Sequence, residues 1–135
     1  MYTDEDKVSE TSRTYSDPFL KPDWSPDTLM SINYTSHLTV YRRSLLDEVG
    51  GLRAEFNGSQ DYDLMLRASE RARLVRHVAR VLYHWRIHRE STASGSGAKD
   101  YALKAARDAR IAALDRRGQE GSLREVVAMP GHYVV

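Results

Sequence analysis

The alternation of helix-forming and strand-forming segments constrains the fold of this 135-residue chain more than any other feature. Met1–Thr3 has the character of the end of a strand, and four further extended segments are predicted at 37–41, 75–78, 81–86 and 126–135. Helical segments lie between them, at about 25–33, 44–49, 60–73 and 99–117. Because such alternation is typical of α/β domains, we predict an α/β fold with a short mixed sheet and flanking helices.

Local signals set the helix boundaries. Ser25-Pro26-Asp27 supplies a capping hydroxyl, a proline at the first helical position and an acid that complements the helix dipole. Ser44 is predicted to cap a short helix that Gly50-Gly51 ends, and Gly118 is predicted to end the longest, alanine-rich helix. Residues 7–24, which are rich in Ser, Thr, Asp and Pro, are predicted to form an irregular loop.

Composition excludes several classes of function. The 20 basic and 19 acidic residues give a net charge of +1, so we expect no nucleic-acid partner. The absence of cysteine excludes disulfides, thiolate zinc sites and cysteine nucleophiles. No apolar run approaches the roughly 18 residues that a membrane span needs, and the first residues are acidic. We therefore expect a soluble chain in the cytoplasm.

Two acidic motifs carry the candidate chemistry. Asp4 and Asp6, at a strand end, would place two hard carboxylates within reach of one divalent cation. Asp61 and Asp63 lie in the first turn of a predicted helix, where a carboxylate could act as a base. Each motif also has a plain structural interpretation, since acids after strands are commonly solvated and acids at a helix start complement its dipole.

Five motifs, taken together and in order, resemble family 2 glycosyltransferases of the O-antigen or rhamnan type, which have the GT-A fold. The motifs are Tyr2-Thr-Asp-Glu-Asp-Lys7, Lys21-Pro-Asp-Trp-Ser-Pro-Asp27, His37-Leu-Thr-Val-Tyr-Arg-Arg43, Gly58-Ser-Gln-Asp-Tyr-Asp-Leu64 and Tyr83-His-Trp-Arg86. The resemblance covers residues 1–92 and implies the C-terminal half of a Rossmann-like GT-A domain. Residues 93–135 are interpreted as a C-terminal helix and linker extension. In the family an N-terminal half grips the nucleoside, so we expect this chain to be a piece of a longer protein.

The resemblance also implies a metal site for Mn²⁺ or Mg²⁺. Asp6 would be the direct ligand, and Asp4 would lie nearer the sugar or ribose as part of the same ligand set. His88 is the preferred third ligand, with His84 in reserve, since a neutral imidazole suits an ion such as Mn²⁺. Arg86 would bind a diphosphate oxygen of the donor.

In the family, an Asp at the position of Asp61 is the general base. It takes the proton of the acceptor hydroxyl as the oxygen attacks the anomeric carbon, and a single displacement of this kind inverts that centre. Gln60 stands where the family usually has Glu. This difference leaves the base Asp61 intact but removes the acid that precedes it. We expect Asp63 to be structural.

The parent reaction implied is metal-dependent transfer of a sugar from a nucleotide-diphosphate sugar donor to a hydroxyl of a glycan or lipid-linked acceptor. Two alternatives remain: a non-catalytic packing or interaction module, and a metal-dependent phosphotransferase or hydrolase that uses the same acids. Without the N-terminal half, we expect the isolated chain to be inactive and to bind nucleotide-sugars very weakly. Exposed sheet edge would then favour self-association or strand exchange between copies.

Overall fold

A computed structural model describes residues 1–87, 96–129 and 131–135 of the chain. It is mixed α/β, with a small mixed sheet and flanking helices, which confirms the coarse fold prediction. The elements in chain order are β1 (Tyr2–Val8), β2 (Tyr15–Phe19), α1 (Pro26–Ser31), α2 (Arg43–Val49), α3 (Gln60–Arg71), β3 (His77–Arg86), α4 (Ser96–Arg117), β4 (Arg124–Glu125) and β5 (Tyr133–Val134), with a 3-10 turn at Ala54–Phe56 between α2 and α3.

The main sheet has the strand order β2-β1-β3, so β1 is its central strand. β1 pairs antiparallel with β2 and parallel with β3. The prediction that the first strand ends at Thr3 was wrong, because the acidic residues that follow bond to strands on both sides and continue the ladder to Val8. Asp4 and Asp6 therefore lie within the central strand and not beyond its end.

The prediction of an irregular loop over 7–24 was also wrong, because this segment contains β2. A polar turn reverses the chain: the Ser12 N–H donates to the Ser9 carbonyl at 2.8 Å, and the Ser9 hydroxyl accepts from the Thr14 N–H at 3.1 Å. The turn brings Tyr15 opposite Val8 in the antiparallel ladder. Serine and threonine thus build the turn of a hairpin here, where their frequency alone indicates only a loop.

The four extended segments predicted after the first strand all differ from their prediction. Residues 37–41 form no strand; Thr39 makes only an isolated bridge to Tyr2. The segments 75–78 and 81–86 merge into the single strand β3, which accommodates an irregular register against β1 near Asp4. Among the described residues of 126–135, only β5 is a strand, and it pairs antiparallel with β4.

The helices follow their local signals more closely. The Ser25 hydroxyl accepts from the Thr28 N–H at 3.2 Å and caps α1, with Pro26 in the first turn. α2 begins at Arg43, one residue before the predicted cap Ser44, and has no side-chain cap bond. Gly50 ends it in the left-handed conformation, with φ of 81°, as glycine allows. α3 and α4 occupy the predicted regions, and Gly118 follows α4 with φ of 60°.

One hydrophobic core joins the sheet to the helices. Its buried members come from β1, α1, α3, α4 and the segments between them: Tyr2, Leu29, Met30, Tyr34, Phe56, Tyr62, Met65, Leu66, Ala109, Ala113 and Leu114. The alanines of α4 allow it to pack closely on α3. Residues 1–87 and 96–117 therefore contribute to the same core, while the predicted division at 92 and 93 falls outside the described residues. Within the described ranges, no helix is both long and apolar enough to cross a bilayer.

Candidate functional site

The candidate metal ligand Asp6 faces His84 across the parallel ladder of β1 and β3. The two residues are register partners, and Asp6 Oδ1 lies 2.5 Å from His84 Nδ1. The His84 side chain is 45% exposed and that of Asp6 is 13% exposed, so the pair is open to solvent mainly from the histidine side. The Tyr15 ring of β2 packs edge-on against His84, with 4.7 Å between ring centroids.

These two side chains suit part of a metal site. A carboxylate oxygen and an imidazole nitrogen are acceptable ligands for Mn²⁺, and an ion bound to both would replace the direct contact between Asp6 Oδ1 and His84 Nδ1. Among residues 1–87, 96–129 and 131–135, no group of three or more His, Cys, Asp or Glu side chains could hold a metal ion. The pair would therefore need further ligands, and the oxygens of a bound diphosphate are of the required kind. The preferred third ligand, His88, lies outside the described residues.

Asp4 occupies a different environment from Asp6. It is buried, and its Oδ1 accepts from the Lys21 N–H at 2.9 Å and lies 2.7 Å from His77 Nε2. The His77 ring stacks on Tyr2 at 4.9 Å, and its Nδ1 contacts Asp23 at 3.2 Å. Asp4 thus connects β1 to β3 and to the segment before α1, and its role toward a donor stays a prediction.

Arg86, predicted to bind a diphosphate, contacts the β1–β2 turn in this structure. Its Nη1 donates to the Glu10 carbonyl at 3.0 Å and also to the Ser12 hydroxyl. Both contacts are exposed, so the guanidinium is close to solvent as well as to the turn. Its predicted role is not tested by this arrangement.

The candidate base Asp61 is exposed in the first turn of α3. Its Oδ2 accepts a hydrogen bond of 3.2 Å from Asn33 Nδ2, the one side-chain bond it makes among the described residues. The carboxylate lines an open cavity of about 230 Å³. The cavity walls combine hydroxyl, amide and aromatic groups with leucines, from Asn33, Thr35, Ser36, His37, Leu38, Thr39, Tyr41, Leu52, Leu64 and Tyr83.

Asp63 contrasts with Asp61 although only one residue separates them. It is fully buried and accepts bonds from Arg53 at 2.5 and 3.1 Å and from Arg67 at 2.8 and 3.0 Å. Burial alone would raise the pKa of this carboxyl, but the hydrogen bonds and charges of the two arginines outweigh burial and lower the pKa. Arg67 also donates 2.6 Å to the Gly51 carbonyl, so the cluster ties α3 to the end of α2.

Gln60 supports the start of α3. Its side-chain oxygen accepts from the Gly58 N–H at 2.7 Å, while the Ser59 hydroxyl donates to the Ala102 carbonyl of α4 at 2.8 Å. The amide therefore accepts a bond from an N–H just before the helix, a contact that an acid here could also make. The turn that presents Asp61 is fixed from both sides.

A buried network that no sequence motif indicated lies beside the cavity. Lys21 Nζ, which is fully buried, donates to the Thr35 carbonyl at 2.9 Å, to Glu5 Oε2 at 3.3 Å and to the His37 carbonyl. Burial would raise the pKa of Glu5, but the His37 and Lys21 contacts outweigh burial and lower it. The His37 ring stacks on Tyr83 with 4.8 Å between centroids, so this network shapes one cavity wall. The sequence signal for this network is the position of Glu5 between the two metal candidates Asp4 and Asp6.

The metal candidates that lie within the described residues, Asp4, Asp6 and His84, make no hydrogen bond to the candidate base Asp61. Tyr83, at the cavity, and His84, at Asp6, are neighbours in β3, and neighbouring strand residues point to opposite faces of a sheet. The structure brings Asp6 and His84 together on one face and Asp61 with Asn33 beside the other. The two groups are therefore close along the strand but separated by the sheet.

Two known proteins are similar to the chain. An uncharacterized protein of Sinorhizobium fredii, y4gI, is 49% identical over 111 residues, which are 81% of this chain and 12% of that protein. O-antigen biosynthesis protein RfbC of Myxococcus xanthus is 43% identical over 123 residues, which are 91% of this chain and 10% of that protein. No family model matches the chain. No solved structure matches it either. The chain therefore spans about a tenth of the length of each of these relatives.

Proposed function

We propose that the chain provides the general base of an inverting, metal-dependent glycosyltransferase in glycan biosynthesis, as the C-terminal half of a GT-A catalytic domain in a longer parent protein. The observation that carries the proposal is the difference between the two acids at the start of α3. Asp63 is saturated by arginines, whereas Asp61 is exposed, lines a cavity and has a single described partner. An ionised carboxylate with free oxygen lone pairs beside a cavity is suited to accept a proton.

The similarity to an O-antigen biosynthesis protein supports the substrate class. RfbC is 43% identical across most of this chain, and its name refers to the assembly of a glycan. The five motifs that resemble family 2 glycosyltransferases point in the same direction. Because the chain spans only about a tenth of RfbC, the parent activity is proposed for a protein that also contains a nucleotide-binding half.

The chemistry proposed at the cavity is a single displacement. An acceptor hydroxyl lies against Asp61 and attacks the anomeric carbon of the donor sugar, and the carboxylate takes the hydroxyl proton as the new C–O bond forms. The bond to the nucleoside diphosphate breaks and its electron pair leaves with the diphosphate, so the anomeric centre inverts. The Asn33 side-chain amide donates to Asp61 Oδ2 and thereby orients the carboxylate as a base.

Asp6 and His84 are the residues proposed to hold Mn²⁺ or Mg²⁺, with His88 and Asp4 as further candidates. Such an ion, when bound, would stabilise the negative charge that develops on the leaving diphosphate. The exposure of His84 leaves room on that side for a phosphate group. Arg86 follows His84 by two residues in β3 and pairs with Val8 at the end of β1. It is the proposed cationic contact to the donor.

One observation favours the non-catalytic alternative. Asp6 and His84 face away from the cavity that contains Asp61, and a shared substrate would have to pass the end of the sheet to reach both. A packing or interaction module needs no such connection. The other alternative would change the reaction at the cavity. A hydrolase would bind water in place of the acceptor hydroxyl at Asp61, and a phosphotransferase would direct the acceptor oxygen at a phosphorus atom of the donor instead of the anomeric carbon.

The test uses the parent protein with a panel of radiolabelled nucleotide-sugars, a glycan acceptor mixture and Mn²⁺. We expect sugar transfer, and we expect Asp61→Asn to lower its rate by about 10²–10⁴, the usual cost of losing a general base, with donor binding unchanged. Asp47→Asn, at an exposed acid on α2, is the matched control.

Each result separates the candidates. Donor hydrolysis without transfer would support the hydrolase, and neither reaction with any donor would support the non-catalytic module. If transfer occurs and Asp61→Asn retains more than about half of the rate, the base lies elsewhere.

A further inference from the structure

The guanidinium of Arg110 in α4 is buried without a carboxylate partner among the described residues. The residue is 1% exposed. It donates instead to four main-chain carbonyls: Met30 at 2.8 Å, Ala106 at 3.0 Å, and Ser31 and Gly131 at 3.2 Å each. A buried charge is costly unless it is hydrogen-bonded, and these contacts satisfy four of the five N–H groups of the guanidinium.

Two aromatic rings complete the environment of Arg110. The guanidinium carbon lies 4.6 Å from the ring centroid of Tyr62 and 4.5 Å from that of Tyr133. Cation–π contacts of this kind gain strength when they are desolvated. The side chain is thus held by α1, α3, α4 and β5 together, and none of these contacts is explained by the proposed chemistry.

The contacts of Arg110 converge on the base from two directions. Its bonds to Met30 and Ser31 fix the last residues of α1, and Asn33, the donor to Asp61, follows two residues later. On the other side, Tyr62 is the residue after Asp61, and its ring stacks against the guanidinium.

A second bond reinforces this arrangement. The Tyr62 hydroxyl donates to the Leu29 carbonyl of α1 at 2.5 Å. The segment with Asn33 and the helix with Asp61 are therefore tied both to each other and to Arg110.

We infer that Arg110 is a positioning residue for the base: it fixes the end of α1 so that the Asn33 amide stays bonded to the Asp61 carboxylate. The inference rests on the proposed function, because it assigns Asp61 the role of base. It also gives α4 and the β4–β5 hairpin, interpreted from sequence as packing and linker, a connection to the cavity. Arg110 does not touch the cavity itself and acts through the main chain.

If Arg110 positions the end of α1, a lysine at this position should not replace it. A lysine ammonium keeps the buried charge and three donors, but it is a point charge and lacks the planar fork that reaches Met30, Ser31 and Gly131 together. Arg110→Lys should therefore retain most of the fold and lose the exact placement of the α1 end. Arg110→Met removes the charge and all the donors.

The experiment records the side-chain amide signals of Asn33 by nuclear magnetic resonance in the 135-residue chain. Asp61→Asn gives the reference position of these signals when the carboxylate is absent. The variants are Arg110→Lys and Arg110→Met, and Arg107→Met, at an exposed arginine on the same helix, is the matched control. Backbone spectra establish that each variant is folded.

We expect the Asn33 amide signals of Arg107→Met to match those of the wild type, because the bond to Asp61 is kept. In Arg110→Lys and Arg110→Met the signals should move most of the way to their Asp61→Asn positions. Wild-type Asn33 signals in a folded Arg110 variant would overturn the inference. Loss of the fold in both variants would overturn it as well, because the role would then be global. This readout needs no catalysis, so an inactive parent protein would refute the proposed function without changing this result.

Discussion

The buried acid Asp63 allows the sharpest prediction about stability. Asp63→Asn keeps the size of the side chain but removes the negative charge between Arg53 and Arg67. Asparagine can accept a bond with its single oxygen, while its NH₂ group would face the guanidinium donors. We therefore expect the variant to lose at least two of the four hydrogen bonds that the carboxylate accepts.

The magnitude follows from the exposure of the two arginines. Removing one partner of a buried ion pair costs about 3–5 kcal/mol, mainly because a charge is left uncompensated. Arg67 is only 8% exposed and would remain buried, whereas Arg53 is 32% exposed and can turn toward water or toward Glu55 at 3.8 Å. Only one arginine, Arg67, would therefore stay buried without a charged partner. The expected loss of unfolding free energy is at the lower end of the range, about 3 kcal/mol.

Urea unfolding followed by circular dichroism measures this loss. With an m-value of about 1.5–2 kcal/mol/M, a loss of about 3 kcal/mol lowers the unfolding midpoint by about 1.5–2 M. Asp47→Asn, which breaks the exposed pair with Arg43, should cost no more than about 0.5 kcal/mol. A loss below about 1 kcal/mol for Asp63→Asn would refute the argument, since it would mean that the arginines are satisfied without the carboxylate.

The pH dependence provides an independent check. Because the folded-state pKa of Asp63 is lowered below its usual 3.8, its contribution is fully present above that value and is lost as the pH falls through the folded-state pKa. The difference in unfolding free energy between wild type and Asp63→Asn should therefore be constant near neutral pH. It should shrink only in acid, below the ordinary pKa of an aspartate.

Two further predictions concern the turn before α3 and the metal. Gly58→Ala should lower the unfolding free energy more than Gly50→Ala. Both glycines have positive φ, where a side chain costs roughly 1–2 kcal/mol, but a Cβ at Gly58 would also lie 2.3 Å from the Tyr101 ring, whereas Gly50 has open space. Equal losses in thermal unfolding would contradict this prediction. Mn²⁺ should broaden the resonance signals of residues around Asp6 and His84 in the wild-type chain, and Asp6→Asn or His84→Ala should each abolish the broadening; broadening that persists in either variant would place the ion elsewhere.

Helices were predictable because their signals are local. The Ser25 cap, Pro26 and the glycine after α2 each act within one turn of the chain, and the structure confirms helices at those positions. Strand extents were not predictable in the same way. β1 continues to Val8 because β2 and β3 pair with it, and nothing within Tyr2–Val8 itself reveals those partners.

In the candidate site, too, local contacts were predictable from sequence and contacts between distant residues were not. Asp61 and Asp63 are two residues apart, which on a helix turns them about 200° from each other, so one faces out when the other faces in. Arg67, four residues after Asp63, was a sequence signal for the buried pair. The Asp6–His84 contact, in contrast, spans 78 residues and depends on strand register. Sequence could not choose between His84 and His88, because alternation would place both on one face of a continuing strand.

The strand order β2-β1-β3 has a consequence for how this sheet can be extended. On the β2 side, Pro18 has no N–H to offer and Asp17 has φ of 48°, so the outer edge of that five-residue strand is irregular. On the other side, β3 offers ten residues, and among the described residues only β1 pairs with it. Growth of the sheet is therefore directional. A strand added from the same protein or from another one would align along β3, next to the residues that face Asp6 and the cavity.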